Sequence, residues 1–184
     1  MPTLLKNASK PRKNRLSRQF TAAEFFAGIG LVRLALERQN WRVVFANDID
    51  PDKQEMYAAN FPLDHFNLGD IHKLNADDIP PCDLFTASFP CNDLSIAGAM
   101  AGLHGKESSA FFGLTRVLND LGDRRPPLVM LENVVGFLMS HDGRDLETAL
   151  LAMTHLGYTV DASLLDPVPR HSSPSGAPVN SQAA

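Results

Sequence analysis

AAEFFAGIGL, the stretch Ala22–Leu31, joins an apolar run to a glycine-containing turn and to the first residue of an amphipathic segment. We expect a buried strand over Ala22–Phe26 and a helix over Leu31–Gln39. Gly28 and Gly30 allow a tight turn between them and let the backbone approach a ligand at the helix N-terminus. A short Gly-x-Gly is common in such turns, so the rest of the chain has to decide whether this one binds a ligand.

The same alternation of apolar runs and amphipathic stretches continues along the chain. It predicts further strands at Val43–Ala46, His65–Leu68, Asp83–Ala87, Leu128–Leu131 and Tyr158–Leu165, and further helices at Asp52–Asn60, Ser109–Leu121 and Arg144–Leu156. This order is typical of an α/β fold, a Rossmann-like, doubly wound and mostly parallel sheet with helices on both faces. In such sheets ligands bind outside the carboxyl ends of the strands.

The composition is that of one globular domain between two tails. The 184 residues are 44% hydrophobic and 21% charged, with a net charge of −4. Residues 1–20 are basic and predict a disordered tail or, alternatively, a segment that contacts phosphates. Residues 21–166 form the predicted domain, and the Pro- and Ser-rich residues 167–184 predict a second disordered tail. The absence of a long apolar run in the sequence favours a cytoplasmic protein.

Acidic residues follow the two strands after the glycine turn. Asp48 comes about 20 residues after the turn, the position of an acid that accepts hydrogen bonds from a ribose diol in nucleotide-binding folds. Asp70 follows the third predicted strand, within reach of an adenine amino group. Either aspartate alone is equally compatible with a helix cap or a solvated loop. Their occurrence after consecutive strands favours a nucleotide-like cofactor at this edge.

A cysteine and a carboxyl group follow the next two strands. Cys91 comes after Pro90 at the end of the fourth strand, and Glu132 ends the fifth. A thiol at an open strand end can act as a nucleophile, although a lone cysteine is also compatible with core packing and a lone glutamate with a cap. Cys82 precedes its strand and is predicted to be inert. The cysteines and histidines show no spacing that predicts a metal site.

Together these segments resemble the DNA (cytosine-5) methyltransferase family. Phe25–Leu31 is similar to its first motif, Asn47–Asp50 to its second and Gly69–Ile71 to its third, while Asp83–Ser95 matches its nucleophile signature. The resemblance implies S-adenosylmethionine as the cofactor. The residues that it implies as cofactor ligands are Phe26, Ala27, Gly28, Ile29, Gly30, Asp48, Ile49, Asp70, Ile71 and Pro90.

The resemblance also implies a reaction on double-stranded DNA, as in restriction–modification systems. Cys91 would attack carbon-6 of a flipped cytosine, and Glu132 would protonate or hydrogen-bond the ring nitrogen N3. Ser95 and Gly98 would belong to a loop that contacts the DNA. Carbon-5 would then take the methyl group.

The resemblance covers Ala22 to Asp166 and includes only the motifs of the family's N-terminal half. We therefore expect a truncated enzyme, or one half of a split enzyme whose second polypeptide supplies the rest. A non-catalytic remnant that binds S-adenosylmethionine or DNA is the alternative. A dinucleotide oxidoreductase is a third reading, disfavoured because Arg33 stands where the longer Gly-x-Gly-x-x-Gly turn needs glycine.

Overall fold

The computed structural model describes residues 18–89 and 110–165. The strands are β1 (Thr21–Phe25), β2 (Arg42–Asp48), β3 (Phe66–Leu68), β4 (Leu84–Ser88) and β5 (Leu128–Glu132), and the helices are α1 (Leu31–Arg38), α2 (Pro51–Ala58), α3 (Ala110–Leu121) and α4 (Arg144–His155). Short 3-10 turns lie at Ile71–Lys73, Ala76–Asp78, Gly122–Arg124, Val135–Leu138 and Ser140–Gly143. In these two ranges no helix is long and apolar enough to span a bilayer.

The strands form one parallel sheet in the order β3-β2-β1-β4-β5. From β1 the chain builds outward to β2 and β3, and it then returns to the other side of β1 with β4 and β5. The strand order therefore reverses between β1 and β4, which is where open α/β sheets bind ligands. The predicted parallel α/β fold is confirmed.

Helices cover both faces of the sheet because successive side chains of a strand point to opposite sides. Phe45 packs in the main core with residues of α3 and α4, such as Leu114 and Met153. Its neighbour Ala46 packs instead against Tyr57 of α2. The central strand β1 lies between these layers, and its last four residues, Ala22–Phe25, are all buried, Glu24 among them.

The predicted sixth strand, Tyr158–Leu165, was wrong. The Tyr158 N–H donates to the carbonyl of Met153 at 3.1 Å and the Gly157 N–H to that of Thr154 at 2.9 Å. These two bonds form a Schellman closure of α4, with Gly157 at a φ of 91° as its left-handed residue. The residues that follow pair with no described strand, and Leu164 and Leu165 are exposed. A strand requires backbone hydrogen bonds to a neighbouring strand, and alternating side chains alone do not ensure that these bonds form.

Candidate functional site

The glycine turn after β1 has a left-handed backbone at three positions. Phe26 has a φ of 55°, Gly28 of 55° and Gly30 of 85°. Left-handed backbone strains a bulky residue such as Phe26, and such strain concentrates at functional sites. The predicted strand therefore ends one residue early, at Phe25, and the turn begins with a strained aromatic residue.

The turn packs against two aromatic side chains, Tyr57 of α2 and Phe61, which follows α2. A Cβ atom at Gly30 would come within 2.6 Å of the Phe61 ring and 3.0 Å of the Tyr57 ring. The guanidinium of buried Arg33 lies 4.4 Å from the centre of the Phe61 ring and donates to the Tyr57 hydroxyl at 3.1 Å. Its Nε also pairs with Glu37 at 2.7 Å. Gly30 is thus required both by the backbone and by this packing.

Asp48 connects the end of β2 to the same turn. Its Oδ2 accepts the Gly28 N–H at 2.8 Å, and its Oδ1 accepts the Asp50 N–H at 3.0 Å. The residue is only 4% exposed. A carboxylate has about four acceptor positions, so two remain for a ligand. Ile49, the next residue, is two-thirds exposed and offers an apolar surface beside this acid.

Asp70 caps the 3-10 turn after β3. Its Oδ1 accepts the His72 N–H at 2.9 Å. The adjacent Ile71 is buried in the main core, so its side chain is unavailable on the surface. Arg116 of α3 donates to the carbonyls of Ile71 at 3.0 Å and Leu74 at 2.8 Å, which anchors this loop to the helix.

A pocket of about 330 Å³ lies at the point where the strand order reverses. It is lined by turn residues 26–29 together with Glu24 and Lys53, and by Thr86 and Ser88 of β4. Four of the five turn residues predicted as ligands thus line one cavity, and Gly30 does not. Asp48, Ile49 and Asp70 are not part of its lining and belong to the adjacent strand ends.

Two buried polar atoms at this pocket were missed by the sequence reasoning. Glu24 and Thr86 are each 2% exposed, and Glu24 Oε2 and Thr86 Oγ1 find no hydrogen-bond partner among the described residues. Burial raises the pKa of Glu24 to about 7, although the Arg33 N–H and charge oppose this shift. Buried polar atoms are rarely left unpaired, so these two provide positions for polar groups of a ligand. The signal was a glutamate inside an otherwise apolar strand.

Glu132 lies at the end of β5, where it pairs across the ladder with Ser88 of β4. Its side chain is exposed, and it borders a groove of about 300 Å³ that also contains Phe89, Phe137 and Val160. The strand ends that carry Glu132 and lead to Pro90 are therefore direct neighbours in the sheet.

The sequence profile of the C-5 cytosine-specific DNA methylases matches residues 20–168. The chain belongs to this family. Type II methyltransferase M.DsaV of Dactylococcopsis salina is 38% identical over 149 residues, which make up 80% of this chain and 41% of that protein. Type II methyltransferase M.HhaI of Haemophilus parahaemolyticus is 34% identical over 152 residues, 81% of this chain and 45% of that protein.

Solved structures show the same relationship. The crystal structure of the S. pombe Dnmt2 methyltransferase has a TM-score of 0.55 and 28% identity, covering 72% of this chain and 42% of that one. The chain therefore spans less than half the length of each of these three relatives.

The profile match for the C-5 cytosine methylases spans both predicted catalytic positions, Cys91 and Glu132. Cys91 lies outside the described residues, as do Pro90, Ser95 and Gly98. The other cysteine, Cys82, is half-buried, and its thiol donates to the Leu84 carbonyl at 3.5 Å. Burial raises the pKa of Cys82 to about 11, so this thiol stays protonated and unreactive at neutral pH.

Proposed function

We propose that this chain forms the cofactor-binding and nucleophile-bearing part of a DNA (cytosine-5) methyltransferase that uses S-adenosylmethionine and acts on double-stranded DNA. The observation that carries the proposal is the family match across the glycine turn, Cys91 and Glu132, on a sheet whose strand order reverses at the pocket. A bacterial cytoplasm and a restriction–modification system are the proposed setting, in line with the type II relatives.

The residues of the pocket and of the adjacent strand ends fit a molecule with an ammonium group, a ribose and an adenine. Glu24 Oε2 and Thr86 Oγ1 are buried acceptors without a partner among the described residues, suited to an ammonium group. Asp48 retains acceptor positions for a ribose diol, Asp70 is assigned to the adenine amino group and exposed Ile49 to the adenine face. Gly28 and Gly30 would let the backbone approach the ligand. When bound, S-adenosylmethionine supplies a methyl group on a positively charged sulfur.

We assign the chemistry on cytosine to Cys91 and Glu132. The Cys91 thiolate forms a bond to carbon-6 of the flipped base, which makes carbon-5 nucleophilic. Glu132 hydrogen-bonds or protonates N3, so that negative charge does not accumulate on the ring. After methylation, loss of the carbon-5 proton expels the cysteine and restores the aromatic base. Ser95 and Gly98 are assigned to contact with the DNA backbone.

The relatives are more than twice as long as the part of them that this chain matches, and we assign the complete activity to an enzyme of that full length. The sheet is consistent with further cover because, among residues 18–89 and 110–165, β5 pairs with β4 alone. Leu128 is 56% exposed and Met130 is 45% exposed along this strand. An unpaired strand with exposed apolar side chains favours association. We propose that the part of the enzyme that corresponds to the unmatched length of the relatives covers this edge.

Covalent trapping tests this function. The chain, alone and mixed with a polypeptide that corresponds to the unmatched part of the relatives, is incubated with S-adenosylmethionine and DNA that contains 5-fluorocytosine. We expect a protein–DNA adduct in the mixture that disappears in Cys91→Ser and persists in the matched control Cys82→Ser. Cofactor binding without an adduct in any mixture would instead support a non-catalytic binding protein.

A further inference from the structure

The ends of β4 and β5 are connected by a side chain that no catalytic role explains. In the parallel ladder Ser88 lies opposite Glu132, so Phe89 and Asn133 are the first residues beyond each strand. Asn133 Nδ2 donates to the Phe89 carbonyl at 2.9 Å, and Asn133 Oδ1 accepts the Val134 N–H at 2.9 Å. Both ends of the amide are therefore used, which fixes its orientation.

The acceptor in this bond is itself immobilised. Phe89 is 5% exposed, and its ring packs 5.2 Å from that of Phe111 and 5.6 Å, edge-on, from that of Phe137. Phe137 follows Asn133 by four residues. The segment after β5 therefore contacts Phe89 twice, through the Asn133 amide and through an aromatic ring.

The contact matters because β5 is an edge strand of the sheet that the described residues form. Within that sheet its end is held by ladder bonds from β4 alone, and strand ends with few contacts fray. Glu132 is the last residue of that strand and is exposed. Asn133, the residue after Glu132, adds a hydrogen bond to the Phe89 carbonyl at the end of β4. Pro90 and Cys91 follow Phe89 in the sequence.

We propose that Asn133 is a positioning residue that holds Glu132 at a fixed distance from the end of β4. The proposal rests on the function proposed above, in which the groups at these two strand ends act on one base. Asn133 touches neither base nor cofactor in this assignment. It acts through the Phe89 carbonyl.

The test is Asn133→Asp, which keeps the shape of the side chain and the acceptor for the Val134 N–H. It removes the N–H donor and places a carboxylate oxygen against the Phe89 carbonyl. We expect kcat for methyl transfer by the mixture to fall by at least about fivefold, the equivalent of one hydrogen bond. The KM for S-adenosylmethionine is expected to stay within twofold of wild type, because the glycine turn is untouched.

The matched control is Asn60→Asp. Asn60 Nδ2 donates to the Met56 carbonyl at 3.4 Å on the exposed end of α2, far along the chain from these strands. This variant makes the same chemical change and is expected to leave kcat unchanged.

Hydrogen exchange on the chain alone separates this inference from the proposed function. Asn133→Asp should accelerate exchange in peptides covering residues 84–89 and 128–137 but not in the peptide covering β1. Unchanged exchange there would overturn the inference, whether or not the wild type is active. Faster exchange with unchanged kcat would also overturn it, since the bond would then be purely structural. An inactive wild type would refute the proposed function, and exchange alone would then decide whether the bond holds the two strand ends.

Discussion

Replacing Glu24 with Gln should remove a pH-dependent loss of stability. Burial raises the pKa of Glu24 from 4.5 to about 7. The folded state therefore holds this proton more tightly than the unfolded chain, and stability falls as the pH rises from 4.5 through 7. A difference of about 2.5 pH units corresponds to about 3 kcal/mol, lost between pH 4 and pH 8. The cause is a carboxylate oxygen that ionises in a buried position without a hydrogen-bond partner among the described residues.

The charges around Glu24 come from two elements, α1 and β2. Arg33 and Glu37 face it from α1 and Asp48 from β2, and of these only Arg33 favours the carboxylate. Gln cannot ionise, so Glu24→Gln should gain about 3 kcal/mol relative to wild type between pH 4 and pH 8.

Urea unfolding at a series of pH values measures this gain as the difference in free energy of unfolding between the two proteins. Glu55→Gln, at an exposed position of α2, is the matched control. If the Glu24→Gln and wild-type curves ran parallel across this range, the reasoning from burial would be refuted.

Other variants test the turn, the cofactor site and the need for further polypeptide. Gly30→Ala should destabilise the fold by at least about 2 kcal/mol in thermal unfolding, because of the left-handed backbone at Gly30 and the clash with Phe61. The control Gly136→Ala meets only a Val134 methyl at 3.9 Å and should be near neutral in the same measurement. Asp48→Ala should weaken S-adenosylmethionine binding by about 1.5–3 kcal/mol in calorimetry, and an unchanged affinity would remove Asp48 from the site. The chain alone should transfer little tritiated methyl to mixed-sequence DNA, because base flipping costs a few kcal/mol that contacts from the rest of the enzyme must offset. Robust turnover by the chain alone would contradict this.

Most of the fold was predictable because its signals are local. Each of the five strands in the described residues overlaps a predicted strand, and Gly157 marks the end of α4 as predicted. Tyr158–Leu165 failed because its alternating pattern contains no information about whether a neighbouring strand exists. The left-handed Phe26 was equally hidden, since the turn extends one residue into the apolar run.

The candidate site was predictable for residues in motifs at strand ends. It was not predictable for residues whose position depends on tertiary contacts. The turn residues 26–29 do line one pocket. Ile71 lies in the core, because it begins a 3-10 turn that packs its side chain against Gly113 of α3. No functional role was assigned to Glu24 from the sequence. A single charged residue in an otherwise apolar strand nevertheless indicates a buried polar group with a functional role. The assignments of Cys91, Ser95 and Gly98 stay predictions.

The Asp48 carboxylate couples two properties that a substitution at this position would change. The same two oxygens that are available to a ribose also hold the amides of Gly28 and Asp50. A substitution of Asp48 that weakens the ligand contact therefore also loosens the turn in the absence of ligand. A substitution elsewhere that stabilises the turn does not restore the ligand contact. The affinity for the ligand and the order of the glycine turn therefore both depend on the Asp48 side chain. Asp48→Asn, which keeps its shape but exchanges an acceptor for a donor, should consequently lower cofactor affinity and the protection of the Gly28 amide in the same protein.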